Sequence, residues 1–314
     1  MDTSPAFHPG EQALQARTGV RERLAAAGRS VIRDHMPDQH RELFGKLPTL
    51  LLAVQDDQGQ PWATMLHGPG GFVSSPDART LHVQARPAED DPVAPWLSEG
   101  AAVGLLGLEP HTRRRNRANG RVSATRDSGF EVEVLQSFGN CPKYIHARRP
   151  ETRVPVRVMP SRRLGPLLDA DAVALLRRAD TLFIASANAA RTGAARADGV
   201  DVSHRGGRPG FVKVALGAHG GVRLTVPDYV GNFFFNTLGN LIQWPRAGLL
   251  VPDFDDGSLL HLVAEASIQF EGPALDAFAG AQRLLHLDVL EGRLRPEALP
   301  LRWTAPEMPP QFAI

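Results

Sequence analysis

The sequence predicts a mainly β protein, built from two tandem barrels with flanking helices, and three observations support this fold class. Short strand-like runs alternate with Gly- and Pro-rich turns along most of the chain, a pattern typical of closed or nearly closed barrels. Motifs recur in the same order after about 140 residues, the size of an ordinary domain. The chain has 314 residues, which is long enough for two such domains.

Four pairs of segments carry the repeat, and all four keep the same order in both halves. The pairs are 68–73 with 207–212, 80–83 with 223–226, 103–106 with 247–250, and 129–134 with 286–290. One such pair could arise by chance, but four in register indicate a duplicated domain.

The first half begins with a predicted helical segment over residues 1–45. Within it, residues 11–35 place apolar side chains at helical spacing, which predicts one amphipathic helix. Residues 50–54 form a short apolar run typical of a buried strand, and residues 56–59 read as a hairpin turn. We therefore expect a first barrel over residues 46–150.

The second half follows a polar, Arg- and Pro-rich stretch that we interpret as a linker over residues 151–168. Residues 169–178 predict a short helix with Asp169 as its cap. Residues 181–185 then restart the strand pattern, as residues 50–54 do in the first half. We therefore expect a second barrel over residues 169–314.

Composition excludes several classes of protein. Hydrophobic content of 42% with 22% charged residues is ordinary for a globular protein, and a net charge of +1 predicts no general attraction to nucleic acid or membranes. No apolar run approaches the ~18 residues that would span a bilayer. The polar N-terminus lacks a secretory pattern, and Cys141 is the single cysteine, so we expect a cytoplasmic protein without a disulfide. We interpret the Arg-rich cluster at residues 113–117 as a solvated loop.

Candidate binding residues concentrate in two segments, 203–213 and 224–240. Glycines at 206, 207 and 210 allow close backbone approach to a ligand, and neutral side chains supply hydrogen bonds. A flat, phosphorylated ligand would suit this combination. The cations are Arg205, Arg208 and Lys213, and the neutral polar residues are Asn232, Asn236, Thr237 and Asn240.

These segments resemble the pyridoxamine-5′-phosphate-oxidase-like FMN-binding proteins. The resemblance rests on the pattern S-x-R-G-G-x-P-G-F-V at 203–212, a P-D-x-x-G-N run from Pro227, and P-R-A-G-L-L at 245–250. It implies tandem FMN-binding split barrels, with FMN held by Ser203, Gly206, Gly207, Pro227 and the cations and polar residues above. Residues 208–213 are similar in spacing to an arginine-then-lysine strand that holds FMN in the oxidases.

A second motif, C-P-K-Y-I at 141–145, resembles a signature of the tandem branch of this family. It places Lys143 toward the flavin or its phosphate and Cys141 near the ring. A tight turn and a small buried thiol explain the same residues equally simply. His204 is a further candidate, as a proton donor, although the sequence shows no carboxylate partner for it.

The two halves differ in their charges. The first-half motif at 67–74 lacks Arg and Lys, and the counterpart of the asparagine series contains Glu89, Asp90 and Asp91, which would repel a phosphate. The first barrel is therefore predicted to have lost FMN binding and to serve as a wall against the second. The flavin would lie at the junction of the two barrels, as it does between subunits of the dimeric relatives.

Structural roles that involve no ligand remain open for the same residues. Arg205 and Arg208 could pair with surface carboxylates, the asparagines could cap a helix that starts near Gly231-Asn232, and residues 233–235 could be core phenylalanines.

Two function classes remain: an FMN-dependent oxidoreductase acting on a small molecule, or a non-catalytic FMN carrier or ligand-binding protein that works with a separate reductase. The sequence shows no dinucleotide fingerprint and no cysteine set for an iron–sulfur cluster, so an external electron donor is expected. A homodimer of whole chains is also expected.

Overall fold

The computed structural model describes residues 5–155, 159–189 and 197–312. Within these residues the chain forms five α-helices and seventeen strands, with short 3₁₀ turns between them. The helices are α1 (Pro9–Arg17), α2 (Arg21–Val31), α3 (Asp38–Lys46), α4 (Ala170–Arg178) and α5 (Asn236–Gln243).

The strands fall into two groups along the chain, one in each half. The first group is β1 (Thr49–Gln55), β2 (Pro61–His67), β3 (Val73–Ser74), β4 (Thr80–Val83), β5 (Ala102–Glu109), β6 (Arg114–Arg126) and β7 (Gly129–Gly139). The remainder are β8 (Pro150–Arg153), β9 (Arg162–Leu164), β10 (Thr181–Ala187), β11 (Val200–Gly206), β12 (Lys213–Leu216), β13 (Val222–Tyr229), β14 (Arg246–Pro252), β15 (Leu259–Gln269), β16 (Ala281–Arg295) and β17 (Leu301–Trp303).

Two antiparallel sheets share one strand order. The first runs β2-β1-β5-β6-β7-β4-β3, and the second runs β11-β10-β14-β15-β16-β13-β12, with β9 added beside β16. Each strand of the second sheet thus occupies the place of its counterpart in the first. This topology confirms the duplication and the mainly β, barrel-type fold class predicted from the sequence repeat.

Side-chain alternation distributes the apolar residues of the strands over three clusters. Each sheet encloses one cluster, and a third lies between the two sheets. Along β1, Leu50 and Leu52 point into the first core, whereas Leu51 and Ala53 point into the shared one. This is the period-two pattern of a strand buried on both faces. The prediction that the halves pack on each other is confirmed.

The N-terminal segment is helical, but the prediction of one helix over residues 11–35 is wrong. The chain forms α1, α2 and α3 instead. Gly19 adopts φ +70° between the first two helices, a conformation that ends a helix and favours glycine. Apolar spacing continued across this break, so periodicity alone could not reveal it.

Two other local predictions, the strand at 50–54 with its turn and the cap of α4, are confirmed. Strand β1 covers the apolar run at 50–54, and a turn with Gly59 at φ +76° joins it to β2. Helix α4 is capped by Asp169, whose Oδ1 accepts a hydrogen bond from the Ala172 N–H at 2.8 Å. The stretch interpreted as a linker contains β8, which pairs with β17, and β9, which pairs with β16. No helix of the described residues is long and apolar enough to cross a membrane.

The interpretation of residues 113–117 as a solvated loop is wrong. Most of the cluster belongs to β6, which pairs with β5 on one side and β7 on the other. Arg117 is among the largest fully enclosed side chains of the molecule, with 2% of its surface exposed. A strand alternates its side chains between faces, so Arg115 and Arg117 leave the strand on the same side.

Candidate functional site

An open cleft lies at the junction of the two halves and encloses about 910 Å³, including the part that is open to solvent. The first sheet, the connection after β7, and the second sheet with the loop before α5 all contribute to it. The lining consists of Leu106, Arg115, Arg117, Asn140, Cys141, Lys143, Tyr144, Ser203, His204, Arg205, Gly206, Pro227, Asp228, Tyr229, Gly231, Asn232, Phe233, Phe235, Asn236, Thr237, Leu238 and Arg283.

Most of the residues predicted from the sequence come together here, and four do not. Gly207 packs its backbone against the Phe211 ring, outside the lining. Arg208 is exposed and donates a hydrogen bond to the Phe312 carbonyl, and Lys213 is exposed on β12. Asn240 is buried beneath the cleft, where its Nδ2 donates to Ser186 Oγ at 3.0 Å. The predicted roles of these four in FMN binding stay predictions.

Arg117 ties the first half to the floor of the cleft. Its Nη2 donates to Ser203 Oγ at 2.5 Å and to the Val202 carbonyl at 3.0 Å. Its Nη1 donates to Asn236 Oδ1 at 3.0 Å and lies 3.2 Å from Asp201 Oδ1. Burial lowers the pKa of Arg117, and the Asp201 carboxylate opposes this effect. One buried guanidinium therefore contacts two elements of the second half, β11 and the start of α5.

Cationic side chains dominate the cleft electrostatically. Arg115 Nε donates to the Cys141 carbonyl at 2.8 Å. This hydrogen bond joins β6 to the connection that follows β7. Burial, together with the positive charges of Arg205 and Arg117, lowers the pKa of Arg115 to about 9. Arg115 still carries its charge at neutral pH, but the neighbouring cations repel it. An anion that enters the cleft would relieve this repulsion.

Asp228 is the one carboxylate of the described lining, and two arginines flank it. Arg205 Nη2 lies 3.4 Å from Asp228 Oδ1, and Arg283 Nε lies 3.3 Å from Oδ2. The Arg283 guanidinium also lies 5.0 Å from the centre of the Phe235 ring. Among the described residues Lys143 has no ion-pair partner, so the cleft keeps an excess of positive charge.

Aromatic rings supply the flat surfaces. Tyr144 and Tyr229 stack with ring centres 5.1 Å apart and planes 28° apart, and Phe233 meets Phe235 edge to face at 6.1 Å. Phe233 and Phe235 adopt φ +61° and +64°, and Tyr144 adopts φ +66°. Bulky residues rarely occupy this left-handed region, and such strain concentrates at ligand sites.

Gly206 is required where β11 meets the connection after β7. A Cβ atom at this position would lie 2.0 Å from the Tyr144 carbonyl oxygen. The C-P-K-Y segment therefore presses directly against β11, and this contact brings Cys141, Lys143 and Tyr144 into the lining. The prediction that this segment reaches the second half is confirmed.

His204 lies at the wall of the cleft with 4% of its surface exposed. Burial lowers the pKa of His204 well below its usual value, and the charges of Arg115 and Arg205 lower it further. The ring is therefore neutral at neutral pH. It can exchange hydrogen bonds, but it is a poor reservoir of protons for the donor role considered from the sequence.

The helix-start signal at Gly231-Asn232 lies four residues before the observed start of α5 at Asn236. Asn232 Oδ1 accepts from the Phe234 N–H at 3.1 Å and holds a turn there instead. Arg115, Arg117 and Arg283 also line the cleft but were not predicted from the sequence. The spacing of Arg115 and Arg117 by two positions was a usable signal, because it is the spacing of neighbours on one strand face.

No known protein-family model and no curated protein sequence matches this chain. Solved structures resemble parts of it. A candidate pyridoxamine 5′-phosphate oxidase from Lactobacillus delbrueckii is 14% identical, with a TM-score of 0.31, over 40% of this chain and 93% of its own. An FAD-binding protein from Mesorhizobium loti is 12% identical, with a TM-score of 0.25, over 43% of this chain and 99% of its own. HutZ, a heme storage protein from Vibrio cholerae, is 13% identical, with a TM-score of 0.23, over 46% and 97%.

Proposed function

We propose that this chain is a flavoprotein that binds FMN in the cleft between its halves and acts as an FMN-dependent oxidoreductase on a small molecule. The composition of the cleft lining carries the proposal. Its five cationic side chains, Arg115, Arg117, Lys143, Arg205 and Arg283, face one carboxylate, Asp228. A phosphate dianion is the kind of group that such an excess of cations binds.

The remaining lining fits a flat heterocycle. The Tyr144–Tyr229 pair and the Phe233–Phe235 pair offer aromatic faces and edges for stacking. Amide and hydroxyl side chains of Asn232, Asn236 and Thr237 offer neutral hydrogen bonds at the start of α5.

The chain's own residues have assignable roles in this proposal. Arg115, Lys143 and Arg205 would hold the phosphate, and Asp228 would orient Arg205 and Arg283. When bound, FMN supplies hydride or electron transfer. The neutral His204 would accept or donate a hydrogen bond at the wall. Cys141 stays a candidate by its place in the lining.

A non-catalytic FMN carrier or ligand-binding protein that works with a separate reductase is the alternative, and both proposals include a homodimer of whole chains. The two differ in what happens to bound flavin. A self-sufficient oxidoreductase reduces it with a nicotinamide cofactor, whereas a carrier requires a protein partner.

The test is an absorbance spectrum of the purified protein after FMN titration, followed by anaerobic addition of NADH and NADPH. Saturable FMN binding at one site per chain supports the flavoprotein proposal, and its absence overturns it. Rapid bleaching of the flavin band by a nicotinamide supports the oxidoreductase. Bound flavin that neither nicotinamide reduces supports the carrier.

A further inference from the structure

Glu11 is a buried carboxyl group on α1 that lies beside the cleft without lining it. Its Oε1 accepts a hydrogen bond from Asn236 Nδ2 at 2.5 Å, and its Oε2 accepts from the His8 N–H at 2.9 Å. Only 3% of its surface is exposed. The N-terminal helix thus contacts a residue of the proposed FMN site.

The contact continues through Asn236 to Arg117. Asn236 Oδ1 accepts from Arg117 Nη1 at 3.0 Å while Asn236 Nδ2 is held by Glu11. This arrangement fixes which way the Asn236 amide faces, because its oxygen meets a guanidinium and its nitrogen meets a carboxyl oxygen. Without Glu11, one of these two restraints is lost.

Close helix packing fixes the position of Glu11 itself. A Cβ atom on Gly10 would lie 2.2 Å from the Gly239 carbonyl oxygen, and one on Gly239 would lie 2.7 Å from Glu11 Cγ. The two glycines let α1 and α5 approach closely. The Glu11 carboxyl group is therefore held at a defined distance from Asn236.

Electrostatics favour a neutral Glu11. Burial raises the pKa of Glu11 well above its usual range, and the Asp201 carboxylate raises it further. A neutral carboxyl group can hold the Asn236 amide without cancelling the charge of Arg117.

We infer that Glu11 is a positioning residue of the cleft, which acts through Asn236 to orient the Asn236 amide and the Arg117 guanidinium toward the ligand. The inference rests on the proposed FMN site. It makes the N-terminal helix a part of the binding site and not only a cover for the barrels.

The test is a double-mutant cycle in the full-length chain, with FMN affinity as the readout. Glu11→Ala should weaken FMN binding about tenfold, the effect of one lost hydrogen bond next to a charged group. In an Asn236→Ala background the same change should have no further effect, because the side chain through which Glu11 acts is already absent. A purely structural role for Glu11 would give losses that add.

Three variants complete the design. Gln15→Ala is the matched control: Gln15 is buried on the same helix, and its Nε2 donates to the Phe234 carbonyl at 3.3 Å and not to the Asn236 side chain. Its FMN affinity should stay at the wild-type value. Glu11→Gln keeps an acceptor oxygen for Asn236 and should bind within about threefold of wild type. Glu11→Met, of similar size but without an acceptor, replaces Glu11→Ala if that variant does not fold.

The outcomes separate the two proposals. Wild-type protein that binds no FMN would overturn the proposed function, and with it this inference. Wild-type protein that binds FMN, with Glu11→Ala or Glu11→Met equally tight, would overturn the inference alone. So would additive losses in the cycle, or a loss in Gln15→Ala as large as that in Glu11→Ala.

Discussion

The cleft at the junction of the two halves and the place related to it by the duplication are built on corresponding strands, but only one of them presents an excess of cations. Residues at matching registers can be read across four neighbouring strands of each sheet. One row consists of Met65, Leu51, Leu106 and Arg117, and its counterpart consists of His204, Phe183, Leu250 and His261.

Both rows end in a side chain that reaches the other half. Arg117 donates to the Val202 carbonyl on β11, and His261 Nδ1 lies 2.9 Å from the Ala63 carbonyl on β2. Val202 and Ala63 hold the same register position in their sheets. The duplication has therefore kept the geometry of a two-fold contact and changed its charge.

The hydroxyl side chains next to these contacts, Ser203 and Thr64, also differ in the charge of their partners. Ser203 accepts directly from Arg117 and lines the cleft. Its counterpart Thr64 donates to Asp91 Oδ2, and Arg295 donates to the same oxygen at 2.8 Å. Arg295 also pairs with Asp90 at 2.9 Å. Two of the acidic residues expected to repel a phosphate, Asp90 and Asp91, are thus paired with Arg295 within the protein.

On the proposed function, one copy of the duplicated domain binds the ligand and the other supports it. Cations in excess over their carboxylates attract an anionic ligand, whereas the cation paired with two carboxylates in the first half stabilises the junction. The following changes test this division of roles, from the largest expected effect to the smallest.

Replacement of Arg117 should cost far more stability than replacement of its counterpart. Arg117→Met removes the guanidinium beside buried Asp201 and should lower the free energy of unfolding by about 3–5 kcal/mol. His261→Met removes one hydrogen bond from a neutral ring and should cost about 1–3 kcal/mol. Urea denaturation of both variants gives the comparison. Equal losses would mean that the charge difference between the rows is energetically unimportant.

Arg205→Ala and Arg295→Ala should separate binding from stability. Arg205 lines the cleft, so its loss should weaken FMN binding about ten- to a hundredfold with little change in the unfolding midpoint. Arg295→Ala leaves buried Asp91 without its cation and should lower the midpoint, while FMN affinity stays within about threefold. Calorimetric titration and thermal unfolding of each variant measure both quantities. The same pattern in both variants would contradict the division of roles.

His204→Met copies the first-half residue Met65 into the cleft and should reduce sensitivity to acid. Burial lowers the pKa of His204 well below the value of 6.5 that it has when unfolded. The unfolded chain therefore binds the proton first, and the stability that is present above pH 6.5 is lost as the pH falls below it. Below pH 6.5 this loss approaches about 1.4 kcal/mol per pH unit for as long as the folded chain keeps the ring unprotonated. Urea midpoints at pH 7 and pH 5 should converge in the variant. An unchanged loss would assign the acid sensitivity to other groups.

The duplication and much of the cleft were predictable because they depend on local patterns. Strand runs, turns and the Asp169 cap are encoded within a few residues each, and the repeat made their order visible. The segments 203–206 and 227–237 carry glycine, cationic and amide groups that point to a ligand in any fold. Ten of the predicted positions do line the cleft.

The missed residues depend on tertiary placement. Arg117 looks like part of a surface cluster in sequence, and only the packing of the two halves encloses it beside Asp201. Arg283 stands in a strand without a motif, and Glu11 reaches Asn236 only because Gly10 and Gly239 let two helices approach. Arg208 stands in the family-like motif, yet its guanidinium turns toward the C-terminal segment. Such contacts join residues that are about a hundred or more positions apart, which local patterns do not encode.

Arg208→Ala gives the smallest expected effect. It distinguishes the loss of FMN affinity that the sequence motif predicts from the loss that the position of Arg208 in the structure predicts. Arg208 is exposed and donates to the Phe312 carbonyl, while the Phe312 ring packs 5.5 Å from both Tyr144 and Tyr229. Its loss should loosen this segment and weaken FMN binding by no more than about threefold, because the cations of the lining remain. The sequence resemblance alone predicts a loss of ten- to a hundredfold, as for Arg205→Ala. FMN titration of Arg208→Ala beside Arg205→Ala decides between them. A loss in Arg208→Ala as large as in Arg205→Ala would mean that Arg208 leaves Phe312 and turns into the cleft when the ligand binds.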